Sequence, residues 1–133
     1  MAVAQKKVLV RSSLARPLHG PTLAFDLDAE VEALRKEAEW RATGRNARTL
    51  AKYPDTRIVL EVMKKGTRFA PNGPSERLTL QCLHGRVRVH VPTGRHVEVK
   101  AGALCTLDRF MANQIEALAD SACLLFVSWP PSA

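Results

Sequence analysis

The hydrophobic period of this chain changes once, close to Gly44, and that change limits the folds open to it. Before Gly44, apolar residues recur at helical spacing, at Leu27, Val31, Leu34 and Ala38. After it, apolar and polar residues alternate in short runs, separated about every ten residues by glycine, proline or aspartate. One helix followed by many short strands indicates a β-sandwich or a β-barrel.

The helical segment is "DLDAEVEALRKEAEWRATG", and we predict a single helix over about residues 26–43. Asp26 or Asp28 can cap its start, and Gly44 suits its end. A chain of 133 residues suits one structural domain. Within it we distinguish an N-terminal extension, residues 1–55, with the helix and the first strand, from a barrel at residues 56–130.

Charge and composition bear on the partners. The net charge of +7 would suit nucleic acid, but the basic residues are scattered among acids, and only 5% of residues are aromatic. No apolar run approaches the ~20 residues that cross a bilayer. The start, "MAVAQKKVLVRSS", has no long apolar run after its lysines, so we expect no secretory signal. We therefore expect a cytoplasmic protein that binds neither nucleic acid nor a membrane.

One hairpin can be specified residue by residue. In "RVRVHVPTGRHVEVK" the loop at 92–94 pairs Val89 with Val97 and places His90 opposite His96 on the outer face. A shared surface metal ion at the two histidines is one interpretation, and two exposed or interface histidines is the other. The valines of both strands are expected to face the core: Val87, Val89, Val97 and Val99.

The order of these pieces from Arg57 to Trp129 resembles the cupin superfamily. "RIVLEVMKKGTRF" and "LTLQCLHGRVRVHV" resemble the two halves of the first cupin motif, with Gly85 as its closing glycine. "VEVKAGALCTLDRFMANQIEALADSACLLFVSW" resembles the second motif and the final strand. With the preceding helix, the chain is similar to small single-domain bacterial cupins that have no assigned activity.

This resemblance implies an all-β, mainly antiparallel fold, a cupin-type jelly-roll β-barrel with one N-terminal α-helix. Because such barrels often pair through their sheets, we expect a homodimer. The resemblance also locates the family's metal ligands. The His-x-His positions fall near residues 71–73, the glutamate on Leu78 and the second-motif histidine on Asn113, while the usual Pro-x-Gly is "DRF" at 108–110. None of the residues at the ligand positions has an imidazole or a carboxylate, so we expect no metal and no cofactor.

The barrel interior remains as a binding site for a small-molecule ligand. Its lining would be mainly apolar, with two amides to orient a polar group. The predicted ligand-binding residues are Phe69, Asn72, Leu78, Leu80, Asn113 and Phe126, with Cys82 and Ile115 also facing inward. We predict no catalytic residue. The three cysteines, Cys82, Cys105 and Cys123, are embedded in apolar runs and are expected to be reduced core residues.

Two further features bear on chemistry. Glu61 alternates with apolar neighbours and is either an ordinary outward-facing strand glutamate or an inward-facing carboxylate. An inward-facing carboxylate would need a cationic partner, for which Arg68 and Lys64 are the candidates. "GRNARTLAKY", residues 44–53, gathers cations that can bind an anion or close over the barrel mouth, or can simply form a solvated edge strand.

Three functions therefore stay open. The first is a metal-free cupin that binds a small molecule or acts in sensing. The second is a cupin enzyme of isomerase or dioxygenase type, with non-standard ligands or metal-free acid/base chemistry. The third is a structural dimer whose barrel is filled by its own side chains.

Overall fold

A computed structural model describes residues 17–71, 75–112 and 114–129 of the chain. Over these ranges every strand pairing is antiparallel, as predicted. The helices are α1 (Leu27–Lys36) and α2 (Ala38–Thr43). The strands are β1 (Arg45–Lys52), β2 (Thr56–Met63), β3 (Arg68–Phe69), β4 (Arg77–His84), β5 (Arg86–His90), β6 (His96–Lys100), β7 (Leu104–Leu107), β8 (Gln114–Ala117) and β9 (Ser121–Ser128).

The strands form two sheets that face each other. One has the order β1-β2-β9-β4-β7, and the other has the order β3-β8-β5-β6. The main core lies between them and draws on both, with Leu80 from β4, Val89 from β5 and Ile115 from β8 all fully buried. This architecture is the mainly antiparallel jelly roll that the sequence predicts.

The predicted single helix is wrong in one respect, because it is broken at Glu37. Glu37 has an extended backbone, at φ −78° and ψ 155°, which ends α1 and precedes α2. The break is stabilised from β1. The Asn46 side-chain amide donates to the Leu34 carbonyl and to the Glu37 carboxylate, at 3.0 Å each. Asp26 caps α1 by accepting from the Ala29 amide at 3.1 Å.

Both helices cover the outer face of the five-stranded sheet. Val31, Leu34 and Trp40 from the helices form a second apolar cluster with outward-facing strand residues such as Leu60 and Leu124. The outer face of the four-stranded sheet carries no helix among the described residues. No helix in the described ranges is long and apolar enough to cross a membrane.

The hairpin register is confirmed, since Val89 pairs with Val97 and His90 pairs with His96. One of its four valines departs from the predicted burial. Val97 is 44% exposed because β6 lies at the edge of its sheet, whereas Val87, Val89 and Val99 are buried.

The turn after β7 contains a strained residue. Phe110 adopts φ +65° with its side chain 64% exposed, and it stands where the resemblance expects the glycine of Pro-x-Gly. A left-handed conformation costs a residue with a Cβ about 1–2 kcal/mol, which glycine avoids. Glycine also makes the unfolded chain more flexible, and this entropy offsets part of the stabilisation. We expect Phe110→Gly to raise the free energy of unfolding in urea by about 0.5–1 kcal/mol.

The matched control for this turn is Phe110→Ala. It removes the same exposed ring but keeps the strained backbone, so we expect a change within about 0.5 kcal/mol. Equal stabilities of the glycine and alanine variants would show that the backbone strain contributes nothing.

Candidate functional site

A cavity of about 350 Å³ opens at the end of the barrel where β4 begins and β9 finishes. We call it the mouth cavity. Its apolar floor consists of Ala47, Val59, Phe69, Ala70, Pro71, Leu78, Leu125 and Val127. Its polar rim consists of Arg45, Thr49, Lys52, Arg57 and Glu61. An apolar floor below a few polar groups is the usual composition of a small-molecule site.

Strand alternation places the rim side chains. On β2, Arg57 and Glu61 face the mouth cavity, and Leu60 between them packs under the helices. On β1, Arg45 and Thr49 face the cavity in the same way.

A β-bulge brings the last cation into the rim. The register with β2 shifts between Thr49 and Ala51, so the chain gains one residue at Leu50. An extra residue inverts the alternation beyond it, and Lys52 therefore faces the mouth cavity, paired with Arg57.

Glu61 is the most buried polar group of the rim, at 3% exposure. The Arg45 guanidinium grips it with two bonds, Nε to Oε2 at 3.0 Å and Nη2 to Oε1 at 2.9 Å. Burial raises the pKa of Glu61 above its ordinary value, and the bonds from Arg45 oppose that rise. The partners expected from the sequence, Arg68 and Lys64, are wrong. Arg68 pairs instead with Glu116 at 3.0 Å, and Lys64 Nζ lies 5.4 Å from the centroid of the Trp40 ring.

The remaining rim cations are less fully compensated. Arg57 lies 4.0 Å from the Glu76 carboxylate and 5.9 Å from the Trp129 ring centroid. Lys52 has no ion-pair partner among the described residues. Arg45, in addition to its pair with Glu61, stacks on the Phe69 ring at 4.1 Å. The mouth cavity thus holds three cations against one lining carboxylate.

The structure brings some of the predicted site residues together and separates others. Phe69 and Leu78 line the floor of the mouth cavity. Leu80 lies deeper, at 0% exposure in the packed core with Cys82 and Ile115. Asn72 and Asn113 lie outside the described residues, so the predicted amide pair stays a prediction.

The prediction that Phe126 lines the interior is wrong. Phe126 packs in the cluster beneath the helices, because β9 turns Leu125 and Val127 inward and its even-numbered neighbours outward. The sequence reasoning also missed Arg57 and Val59. The pattern "TRIVLEV" held the signal for both, since Arg57, Val59 and Glu61 are spaced by two.

The described side chains do not form the transition-metal site that the resemblance would imply. Leu78, in the position of the family's glutamate, presents only an apolar side chain to the mouth cavity. Pro71 lines the cavity without a donor atom. Across the described ranges no three histidine, cysteine, aspartate or glutamate side chains converge closely enough to hold an ion.

A separate polar network covers the outer face of the four-stranded sheet. Glu116 accepts from Arg68 at 3.0 Å and contacts His90 Nε2 at 3.0 Å, and Arg88 lies at 4.0 Å. The hydrogen bond with His90, followed by the charges of Arg68 and Arg88, lowers the pKa of Glu116. The centroids of the His90 and His96 rings lie 6.1 Å apart. The carboxylate of Glu116 is a neighbour of His90 that the sequence does not predict.

No family model and no curated protein matches the sequence. Solved structures do match. An RmlC-like cupin protein from Desulfovibrio desulfuricans has a TM-score of 0.59 at 15% identity, covering 73% of this chain and 92% of that chain. A mutant of salicylate 1,2-dioxygenase from Pseudoaminobacter salicylatoxidans has a TM-score of 0.67 at 15% identity, covering 85% of this chain and 36% of that chain. An HTH_3 family transcriptional regulator from Vibrio cholerae has a TM-score of 0.59 at 14% identity, covering 74% and 59%. Enzymes and regulators therefore both share this fold.

Proposed function

We propose that this chain, which has the cupin fold, binds a small organic anion in the mouth cavity and is not primarily a catalyst. The observation that supports this proposal is the arrangement of Arg45, Lys52 and Arg57 above an apolar floor. A volume of about 350 Å³ suits a ligand of modest size. A fold shared by enzymes and regulators leaves room for binding or sensing as well as catalysis.

The chemistry of the rim favours a carboxylate with an apolar body. A guanidinium matches a planar carboxylate with two parallel bonds, and the ammonium group of Lys52 supplies a nearby point charge. Because Glu61 already engages Arg45, Arg57 and Lys52 are the cations left for a ligand. The floor side chains Phe69, Leu78 and Val127 would cover the apolar body of the ligand.

The test is isothermal calorimetry with benzoate and salicylate, matched against uncharged benzamide. Salicylate is included because a structural neighbour is named for its action on it. We expect the carboxylates to bind and benzamide to bind more weakly. We expect Arg57→Gln to raise the Kd by about tenfold to a hundredfold, since a lost charge-assisted hydrogen bond costs about 1.5–3 kcal/mol.

The control for this test is Lys100→Met, which removes an exposed cation outside the mouth cavity. It should leave the Kd unchanged. Equal affinities for benzoate and benzamide, or an unchanged Kd in Arg57→Gln, would contradict the proposal that an anion is recognised at this rim.

One observation favours the alternative of a metal-free enzyme. Glu61 is a buried carboxylate with a raised pKa that faces the mouth cavity, which is the setting of a general acid or base. An isomerase-type activity would exchange a substrate proton through Glu61.

The test of this alternative is incubation of candidate carboxylates in D2O, followed by NMR. It would show deuterium incorporation that Glu61→Gln abolishes. A dioxygenase-type activity would instead require a bound metal, which elemental analysis of untagged protein would detect.

The homodimer expected from the resemblance also remains a proposal. Among the described residues no helix covers the outer face of the four-stranded sheet, which carries Glu116 and His90, and a second copy of the chain would pack there. Light scattering coupled to size exclusion measures the mass directly. The cytoplasmic, bacterial setting likewise remains a prediction.

A further inference from the structure

Cys82 and Cys123 face each other inside the barrel, on the neighbouring strands β4 and β9. Their positions are directly paired, and their exposed fractions are 1% and 0%. The Cys82 amide donates to the Ala103 carbonyl at 3.0 Å, and its carbonyl accepts from Gly102 at 2.9 Å. Both main-chain groups of Cys82 therefore point away from β9, so the two cysteines form a non-hydrogen-bonded pair.

In an antiparallel sheet the two residues of a non-hydrogen-bonded pair lie closer together than those of a hydrogen-bonded pair. Directly opposite residues in a non-hydrogen-bonded pair have their Cα atoms about 4.5 Å apart, inside the range of roughly 4.4–6.8 Å that a disulfide spans. Both side chains belong to the same core cluster, so the Cβ atoms also leave the sheet on the same side. The third cysteine lacks such a partner, because Cys105 pairs with Leu80.

Each thiol affects the pKa of the other. A hydrogen bond from Cys123 lowers the pKa of Cys82, and the same contact, together with burial, raises the pKa of Cys123. Cys82 Sγ also lies 3.3 Å from the His84 carbonyl, at the irregularity where β4 departs from regular pairing. The strand register thus places the two sulfurs at directly paired positions on neighbouring strands.

We propose that Cys82 and Cys123 are a redox modification site, which hydrogen peroxide converts reversibly into a cross-strand disulfide. The Cys82 thiolate attacks one peroxide oxygen, the O–O bond breaks, and the leaving hydroxide takes up a proton to become water. The resulting sulfenic acid is attacked by Cys123 as its thiol loses a proton. The S–S bond forms, the S–O bond breaks, and a second water leaves. The two sulfurs lose two electrons, and the peroxide gains two.

Oxidation of Cys82 and Cys123 would affect the mouth cavity, because both strands of the pair contribute residues to it. The strands it links carry the floor residues Leu78, Leu125 and Val127. Cys123 also pairs with Glu61 on its other side, so oxidation replaces a thiol beside that carboxylate with an apolar disulfide. Because both thiols are buried, the reaction depends on local opening of the barrel and should be slow.

The test treats the folded protein with hydrogen peroxide, then unfolds it and alkylates the free thiols for mass spectrometry. We expect an intact mass lower by about 2 Da before alkylation, with one thiol left to alkylate, Cys105. Dithiothreitol should restore all three thiols. A raised Tm of the oxidised protein, returning on reduction, would accompany the disulfide.

Variants assign the bond. Cys105→Ser should form the disulfide as the original chain does, and Cys123→Ala should not. Three alkylated thiols after treatment would overturn the proposal, as would sulfinic acid at Cys82 or a disulfide that includes Cys105. The readings on the original chain and on Cys105→Ser decide the outcome even if Cys123→Ala folds poorly.

Discussion

Replacing Gly85 with alanine is expected to lower the free energy of unfolding by about 4 kcal/mol or more, because backbone strain and a backbone clash add together. Gly85 has φ +78°, a conformation that costs alanine about 1–2 kcal/mol. A Cβ there would also lie 2.3 Å from the Asp120 carbonyl and 2.4 Å from Ser121 Oγ.

The clash at Gly85 disturbs a junction between the two sheets. Ser121 is fully buried, and its hydroxyl accepts from the Arg86 amide at 3.0 Å and donates to the Ala119 carbonyl at 2.7 Å. Moving Ser121 to make room for a methyl group would break these bonds, and the one from Arg86 joins the start of β5 to the start of β9.

Gly94→Ala is the matched control. Gly94 has nearly the same backbone, at φ +85°, but a Cβ there would meet nothing within 4 Å. It isolates the strain, and we expect a cost of about 1–2 kcal/mol by urea unfolding. Equal losses in the two variants would show that the close approach to Ser121 is relieved without cost.

Removing the charge of Arg45 is expected to have the second large effect. Arg45→Met leaves Glu61 buried without its partner, and breaking a buried pair in this way costs about 3 kcal/mol. The double variant Arg45→Met/Glu61→Leu should recover most of that loss, because it removes the stranded carboxylate as well. Arg68→Met is the control. It breaks a more exposed pair, with Glu116, and should lower the free energy of unfolding much less than Arg45→Met does.

The loss in Arg45→Met should depend on pH in a defined direction. Burial raises the pKa of Glu61 in the folded protein, so the folded state favours the protonated carboxyl. The stability that this provides is present below the ordinary carboxyl pKa of 4.5 and is lost as the pH rises through the folded pKa. Without Arg45 the pKa rises further, so the difference between the variant and the original chain should widen from pH 4 to pH 7. A difference independent of pH would show that Glu61 is not the stranded charge.

The sequence was sufficient to predict the fold and the register of the β5–β6 hairpin, because one face of each hairpin strand is polar. It was insufficient for β9, because "ACLLFVS" is apolar at nearly every position and helices cover one face while the barrel core covers the other. The sequence of such a strand does not show which residues face the barrel core and which face the helices, and Phe126 was assigned to the wrong face for this reason. The break at Glu37 was equally hidden, since it depends on Asn46, a residue of the next strand.

The rim of the mouth cavity shows the same limit. From the sequence, the segment carrying Arg45 and Lys52 can bind an anion, close over the barrel mouth or form a solvated edge strand. In the structure both side chains line the mouth cavity. Their roles required the pairing of β1 with β2, which sets Arg45 against Glu61, and the bulge at Leu50, which turns Lys52 inward. Neither the strand pairing nor the bulge can be predicted from the spacing of residues within β1.

The location of β9 between β2 and β4 governs how the chain must assemble. β9, the last strand of the described residues, occupies the centre of the larger sheet, so β4 and β7 can join β1 and β2 only once β9 is in place. Until then β2 and β4 present open edges, which is the circumstance in which chaperones are most needed. Contacts between such distant stretches also make for slow folding.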